Sequence, residues 1–150
     1  MNNLIKIILI SLLCHVVTPV FAESSDDDVL VRMFTWWNAA MKDPDGLTEE
    51  SFRKYYTEDA AIFINARERV RGIKAMVAHF KGIQQRSEYV EIVLPFEEGF
   101  ESGDRIFTHH KLRAREKGVD RKADLMGYAI VEDGKLALVS LISYTSPVAE

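Results

Sequence analysis

The sequence YYTEDAAIFIN, residues 55–65, contains the pattern that decides the fold. Its polar triplet at residues 57–59 predicts a turn, and the apolar residues that follow predict a short strand over residues 60–65. On both sides of this segment the apolar spacing changes to three and four residues, which is typical of helices. A short strand between helices, followed by a β-rich half, indicates an α+β domain.

Three helices are predicted before the β-rich half. The first has Ser24 or Ser25 as its N-cap, three aspartates, residues 26–28, in its first turn, an apolar stripe from Val29 onward, and its end near Lys42. A turn at residues 43–46 leads to a short second helix that opens at Thr48 and ends near Tyr55. The charged residues 67–71 are predicted to link the first strand to a third helix over residues 73–85.

Four extended segments follow, at residues 89–96, 105–116, 123–131 and 135–144. Tight hairpin turns are predicted at residues 117–118 and 132–134, where glycine follows a polar residue. The whole pattern predicts an α+β fold in which the helices cover one face of a curved antiparallel sheet.

Alternation predicts which residues of the second of these segments face the helices. The set at residues 106, 108, 110, 112 and 114 is less polar than its neighbours, so His110 is predicted to point inward and His109 outward. The last two segments are apolar on both faces, which leaves the facing of Asp124 open. A sheet that is apolar on both faces needs a second cover, and we expect a homodimer formed through its outer face.

The N-terminus has the order of a cleavable signal peptide. Lys6 precedes an apolar run over residues 7–17, Pro19 breaks the helix, and Ala22 ends a suitable cleavage site, so we expect residues 1–22 to be removed before Glu23. A membrane anchor is the alternative, but the apolar run is shorter than the ~20 residues that a span requires. The mature protein is therefore expected to be periplasmic or secreted, with no membrane partner after cleavage.

The remaining residues, 23–150, are predicted to form a single domain of ordinary size. The only cysteine, Cys14, leaves with the signal peptide, so the mature chain has none with which to form a disulfide. Its formal charge is −5, and no basic tract stands out, which argues against nucleic acid as a partner.

The order of elements, together with the run at residues 55–65, resembles the nuclear transport factor 2-like superfamily. The similarity is greatest to its SnoaL-like branch of polyketide cyclases and ketosteroid isomerases. It is carried by the turn into the first strand, by Arg71-Gly72-Ile73-Lys74 before the third helix, and by Glu132-Asp133-Gly134-Lys135 in the last hairpin. The resemblance implies a cone-shaped sheet with a pocket at one end, and dimers formed through the outer sheet face.

The family's isomerases carry two carboxyl groups in that pocket, and this sequence departs from their pattern. Ungapped matching puts the first at Ile64, beside Asn65, and the second near Met126. Since neither residue is a carboxylate, the isomerase pair does not carry over. Asn65 and Met126 instead count as candidate ligand-binding residues.

Three other residues are candidates for general acid and base chemistry. His110 is either a base oriented by Asp124 or a core histidine with a structural hydrogen bond. Asp124 either faces His110 or pairs with Arg113 or Lys122 at the surface. Tyr128 is a candidate hydrogen-bond donor to a ligand oxygen.

Large aromatic residues are the candidates for an apolar pocket wall. They are Trp36, Trp37, Tyr55 and Phe63, although helical spacing makes one of the two tryptophans ordinary core. His79, on the third helix, is expected to be a half-buried packing residue. No metal site and no cofactor are expected, because the mature chain has no cysteine, no metal-spaced histidines and no glycine-rich phosphate loop.

Three functions remain open from the sequence. The first is an exported protein that binds a small organic molecule in a mostly apolar pocket. The second is a cofactor-free isomerase, cyclase or lyase that uses His110, Asp124 and Tyr128. The third is a structural or interaction domain whose cone is filled by its own side chains.

Overall fold

A computed structural model describes residues 22–23 and 28–144, and within them the chain forms three helices and eight strands. The helices are α1 (Val29–Ala40), α2 (Glu49–Arg53) and α3 (Ile73–Arg86). The strands are β1 (Ala22–Glu23), β2 (Tyr56–Ile64), β3 (Arg67–Arg71), β4 (Tyr89–Ile92), β5 (Glu98–Ser102), β6 (Arg105–Glu116), β7 (Val119–Glu132) and β8 (Lys135–Tyr144).

All eight strands belong to one sheet in the order β1-β5-β6-β7-β8-β2-β3, with β4 also paired to β6. The α+β class is confirmed, and the sheet is open and curved with the helices on one side. The expectation of a purely antiparallel sheet is wrong at one pair, because β2 runs parallel to β8. Those two strands meet after a long excursion of the chain rather than through a hairpin, which permits the parallel direction.

Three strands were not predicted, and the first of them, β1, spans the expected cleavage site. β3 lies in the segment expected to be a charged link, and β5 begins at Glu98, between the predicted segments at residues 89–96 and 105–116. β3 is an edge strand in which only Val70 is buried, so its sequence lacks the alternation of a covered strand. Asn65 and Ala66 both adopt positive φ and form the tight turn that reverses the chain from β2 into β3.

The first helix is capped differently from the prediction. Asp28 is the N-cap of α1, and its Oδ1 accepts a hydrogen bond of 2.6 Å from the backbone N–H of Leu30. The predicted caps, Ser24 and Ser25, lie outside the described residues. Burial raises the pKa of Asp28 above its ordinary value, and this outweighs the backbone hydrogen bond from Leu30, which lowers it.

Two side-chain amides fix α1 against the rest of the domain. Asn38 exchanges two hydrogen bonds of 2.8 Å with the backbone of Ile92, which ties α1 to β4. The Nε2 of Gln84, on α3, lies 2.9–3.2 Å from the carbonyl oxygens of Ala40, Met41 and Asp43 at the end of α1. These contacts hold the end of α1 and the turn that follows it against α3.

The core lies between the helices and the face of the sheet that they cover, here called the inner face. Its buried residues form one hydrophobic cluster that includes Leu30, Phe52, Met76, Ala129 and Leu136. No helix in the described part of the chain is long and apolar enough to cross a membrane. The predicted signal peptide lies almost wholly outside the described residues, although Ala22 and Glu23 pair with β5.

Candidate functional site

A cavity of about 350 Å³ lies between α1, α3 and the inner face of the sheet. Its wall is mainly apolar. The apolar lining residues are Met33, Phe34, Trp37, Ile62, Ile64, Phe80, Ile83, Val90, Ile92, Leu112, Ala114, Leu125, Val139 and Leu141. The third hypothesis required a cone filled by its own side chains, and this cavity contradicts it.

Helix α1 contributes Met33, Phe34 and Trp37, which helical spacing places on one side of the helix. Trp37 is 5 % exposed and packs edge-on against Phe80 at 5.7 Å between ring centroids. Its indole Nε1 is buried and has no hydrogen-bond partner among the described residues. Because an unpaired buried N–H is costly, this atom is a donor available to a ligand oxygen.

Tyr56 supplies a second polar group in the apolar part of the wall. It is the first residue of β2, and its hydroxyl donates to the sulfur of Met33 at 3.3 Å. Burial raises the pKa of Tyr56, so the hydroxyl stays protonated at neutral pH. A thioether sulfur is a weak acceptor, so a ligand oxygen would be a better partner for this donor.

The polar residues of the cavity mark its mouth, because both of its arginines are exposed. Arg69 comes from β3 and Arg86 from the last turn of α3, and Glu116 is the last residue of β6. The half-buried side chains of His79, Ser87 and Ser143 complete this edge. Helical spacing at i, i+4 and i+7 puts His79, Ile83 and Arg86 on one face of α3.

His79 is electrostatically coupled to both arginines. Burial lowers the pKa of His79 from its ordinary value, and the positive charges of Arg86 and Arg69 lower it further. The imidazole is therefore neutral at pH 7 and offers one donor and one acceptor nitrogen at the mouth.

His110 faces inward, as predicted, but it does not line the cavity. It is 0 % exposed and lies between the rings of Phe34 and Phe96, and its Nδ1 is 3.1 Å from the hydroxyl of Thr108. Burial, and next the neighbouring His109, lowers the pKa of His110 to about 4. Its Nε2 is buried without a partner among the described residues.

Asp124 does not face His110, which was one of the two arrangements that the sequence left open. Asp124 lies on the outer face of the sheet, where its Oδ1 is 3.3 Å from Nε2 of His109. Tyr128 also faces outward, and it contacts Phe107 and Arg105. The sheet therefore separates His110 from the other two residues, because neighbouring strand positions point to opposite faces. β7 is apolar on both faces, which is why its sequence did not reveal this orientation.

Of the predicted ligand-binding residues, the structure places only Trp37 in the cavity wall. Trp36 stacks on Tyr55 at 5.1 Å and packs edge-on against Phe52, away from the cavity. Asn65 bonds both backbone groups of Ser143 and so holds the end of β8 beside the turn. Phe63, between Ile62 and Ile64 on β2, is not a cavity residue.

Met126 belongs to a different depression, on the outer face of the sheet. This shallow groove is lined by residues of β5, β6 and β7, including His109, Phe107 and Tyr128. Its residues are the opposite set to those facing the cavity, so Met126 cannot contact a ligand held by Trp37.

Sequence reasoning missed the polar residues of the wall, which include Tyr56, Arg69, His79 and Arg86. His79 was expected to be a packing residue, and its spacing to Arg86 was the signal that could have found the pair. Tyr56 was overlooked in favour of Tyr55, its neighbour. Among the residues that the structure describes, no group of three histidine, cysteine or carboxylate side chains is arranged to hold a metal ion.

Comparison with solved structures decides the fold. A protein of unknown function from Exiguobacterium sp. 255-15, described as NTF2-like, superposes with a TM-score of 0.62 at 17% identity, covering 79% of this chain and 98% of that one. The chain has the nuclear transport factor 2-like fold. A putative SnoaL-like polyketide cyclase from Jannaschia sp. CCS1 shares this fold with a TM-score of 0.60 at 16% identity, covering 78% and 82% of the two chains.

Enzymes of other kinds share the nuclear transport factor 2-like fold. An epoxide hydrolase from M. tuberculosis, described as LEH-like, superposes with a TM-score of 0.57 at 15% identity, covering 76% and 77% of the two chains. No family model matches the sequence, and no curated protein matches it. Function has to be argued from the site, because one fold of this kind supports several activities.

Proposed function

We propose that this protein binds a small organic molecule in the cavity between α1, α3 and the sheet. The observation that carries the proposal is the unpartnered indole N–H of Trp37 in the wall of an otherwise apolar cavity. A ligand with an oxygen atom near Trp37 would pair this donor, and its apolar body would cover the surrounding side chains.

The size of the cavity supports this proposal. Its volume of about 350 Å³ falls at the lower end of the range for ligand pockets. That space corresponds to roughly a dozen water molecules at ~30 Å³ each. Water against an apolar wall is readily displaced by apolar surface, which supplies the driving force for binding.

The enzyme hypothesis lacks the contact on which it depended. His110 is separated by the sheet from Asp124 and Tyr128, and it lies outside the cavity wall. Its lowered pKa also makes it a weak base at neutral pH. We therefore propose binding rather than catalysis as the function.

We further propose that the protein acts after export, as a homodimer. Export rests on the signal-peptide pattern of residues 1–22, and the mass of protein recovered from the periplasm or medium tests it: the mature chain should begin at Glu23. An intact Met1 in exported protein would refute cleavage. The dimer rests on the exposed apolar residues Met126, Ile142 and Tyr144 of the outer sheet face.

Mass spectrometry of molecules retained by the purified mature protein tests the binding function. Ala114 lines the cavity from β6, so the phenyl ring of A114F should occupy part of the cavity. We expect a recurring compound in extracts of the wild type and its loss from A114F. A compound retained equally by both proteins, or repeated empty preparations from the native host, would contradict the proposal.

A further inference from the structure

The two arginines at the cavity mouth have no carboxylate partner in the described part of the chain. Arg53 and Arg71, elsewhere on the surface, form ion pairs of 2.6–2.8 Å with glutamates. Arg69 and Arg86 form no ion pair with a described residue, although both border the cavity. Their guanidinium donors are therefore available to a ligand at the mouth.

The remaining groups at the mouth do not neutralise this pair. Glu116 is an acidic residue of the same wall, but it lies in no ion pair with either arginine among the described residues. His79 is neutral at pH 7 and adds a hydrogen-bonding nitrogen rather than a charge. Ser87 and Ser143 add two hydroxyl groups, so the mouth carries a net positive charge above an apolar interior.

We propose that the ligand is a small organic acid, whose carboxylate binds Arg69 and Arg86 at the mouth while its apolar body fills the cavity. The inference rests on the proposed binding function and names the class of its ligand. Arginine suits this role because its planar guanidinium donates two parallel hydrogen bonds to a carboxylate. The acid head remains near solvent, so binding does not require a charge to be buried in the apolar interior.

Calorimetric titration with matched probes tests the ligand class. The probes are decanoate, decan-1-ol and decylammonium, which share one apolar chain, and 1-naphthoate with 1-naphthol as a rigid pair. We expect each acid to bind the wild type about 10-fold more tightly than its alcohol, which is the size of one charge-assisted interaction. Decylammonium should bind most weakly, and raising the salt concentration should reduce the preference for acids.

Two double variants locate the preference. R69Q/R86Q should bind acid and alcohol with equal affinity, because it removes the charge that distinguishes them. R32Q/R113Q is the matched control: it removes the same charge from exposed positions on α1 and β6 that do not line the cavity, and should keep the preference. E116Q should strengthen acid binding, because Glu116 is the one carboxylate that the described residues contribute to the wall.

The outcomes separate this inference from the function on which it rests. Equal binding of acid and alcohol by the wild type, or equal loss of the preference in both double variants, would overturn the acid assignment and leave small-molecule binding standing. If none of the five probes bound the wild type, both proposals would fail.

Discussion

Thr108 and His110 share a buried hydrogen bond of 3.1 Å on the inner face of β6. The other imidazole nitrogen, Nε2, has no partner among the described residues, and the rings of Phe34 and Phe96 pack against the side chain. The core therefore holds the imidazole of His110 in its neutral form.

Stability should fall in mild acid because of His110. Its pKa is about 4 in the folded protein and about 6.5 in the unfolded chain, so below pH 6.5 the unfolded state binds a proton that the folded state does not. The free energy of unfolding should therefore decrease as pH falls from 6.5 to 4, by a total of about 3 kcal/mol. Urea denaturation at a series of pH values measures this slope.

H110N should flatten that slope, because an amide can keep the bond to Thr108 without titrating. H109N is the matched control, since His109 is the next residue along β6 and faces the opposite side of the sheet. An unchanged slope in H110N would show that the pH dependence arises elsewhere.

Gly127 should tolerate no side chain. A Cβ at this position would overlap the carbonyl oxygen of Ser140 on β8 and lie 2.9 Å from the Cα of Leu141. Because backbone atoms cannot move aside cheaply, G127A should destabilise the domain by about 2 kcal/mol or more in chemical denaturation.

Gly82, in the interior of α3, provides the contrasting substitution. The nearest atom to a Cβ there is a guanidinium nitrogen of Arg86, at 3.6 Å, so G82A should fit and stabilise the helix by about 1 kcal/mol. A cost in G82A as large as that in G127A would contradict the open space that the structure shows beside Gly82 on α3.

The outer sheet face should be the dimer interface. Met126 and Ile142 are paired across β7 and β8 and are 56% and 69% exposed in the single chain. M126K/I142K should convert a dimer into a monomer in analytical ultracentrifugation, because it places charge on apolar surface that the partner covers. E50K, on exposed α2, adds the same charge and should remain dimeric. A monomeric wild type would refute the dimer directly.

How far the sequence predicted these features depended on whether one face of an element was clearly polar. β6 alternates strongly, so the inward direction of His110 was predicted correctly. The hairpins were predicted because Gly118 and Gly134 follow polar residues, and both turns contain the expected pairs of positive φ angles. β3, by contrast, was missed because an edge strand with a single buried residue resembles a linker.

The site was harder to predict than the fold for a physical reason. Residues that line a cavity and residues that fill the core are equally apolar, so composition cannot distinguish Trp37 from Trp36, or Tyr56 from Tyr55. Only the phase of each element relative to its neighbours does so. In β7 both faces are apolar, and the polar triplet at residues 57–59 indicated a turn where the structure has the start of β2. The two arginines of the mouth come from β3 and α3, whose proximity no local pattern reports.

The two tryptophans permit the most direct test of the cavity as a ligand site, because they are the only ones in the chain. Trp37 lines the cavity and Trp36 packs against Tyr55 and Phe52 outside it. The measurement is a fluorescence titration of W36F and W37F with decanoate and decan-1-ol. We predict a saturable change in the emission of Trp37 in W36F, and no change in the emission of Trp36 in W37F. Equal responses from both variants, or a response from Trp36 alone, would contradict a ligand in this cavity.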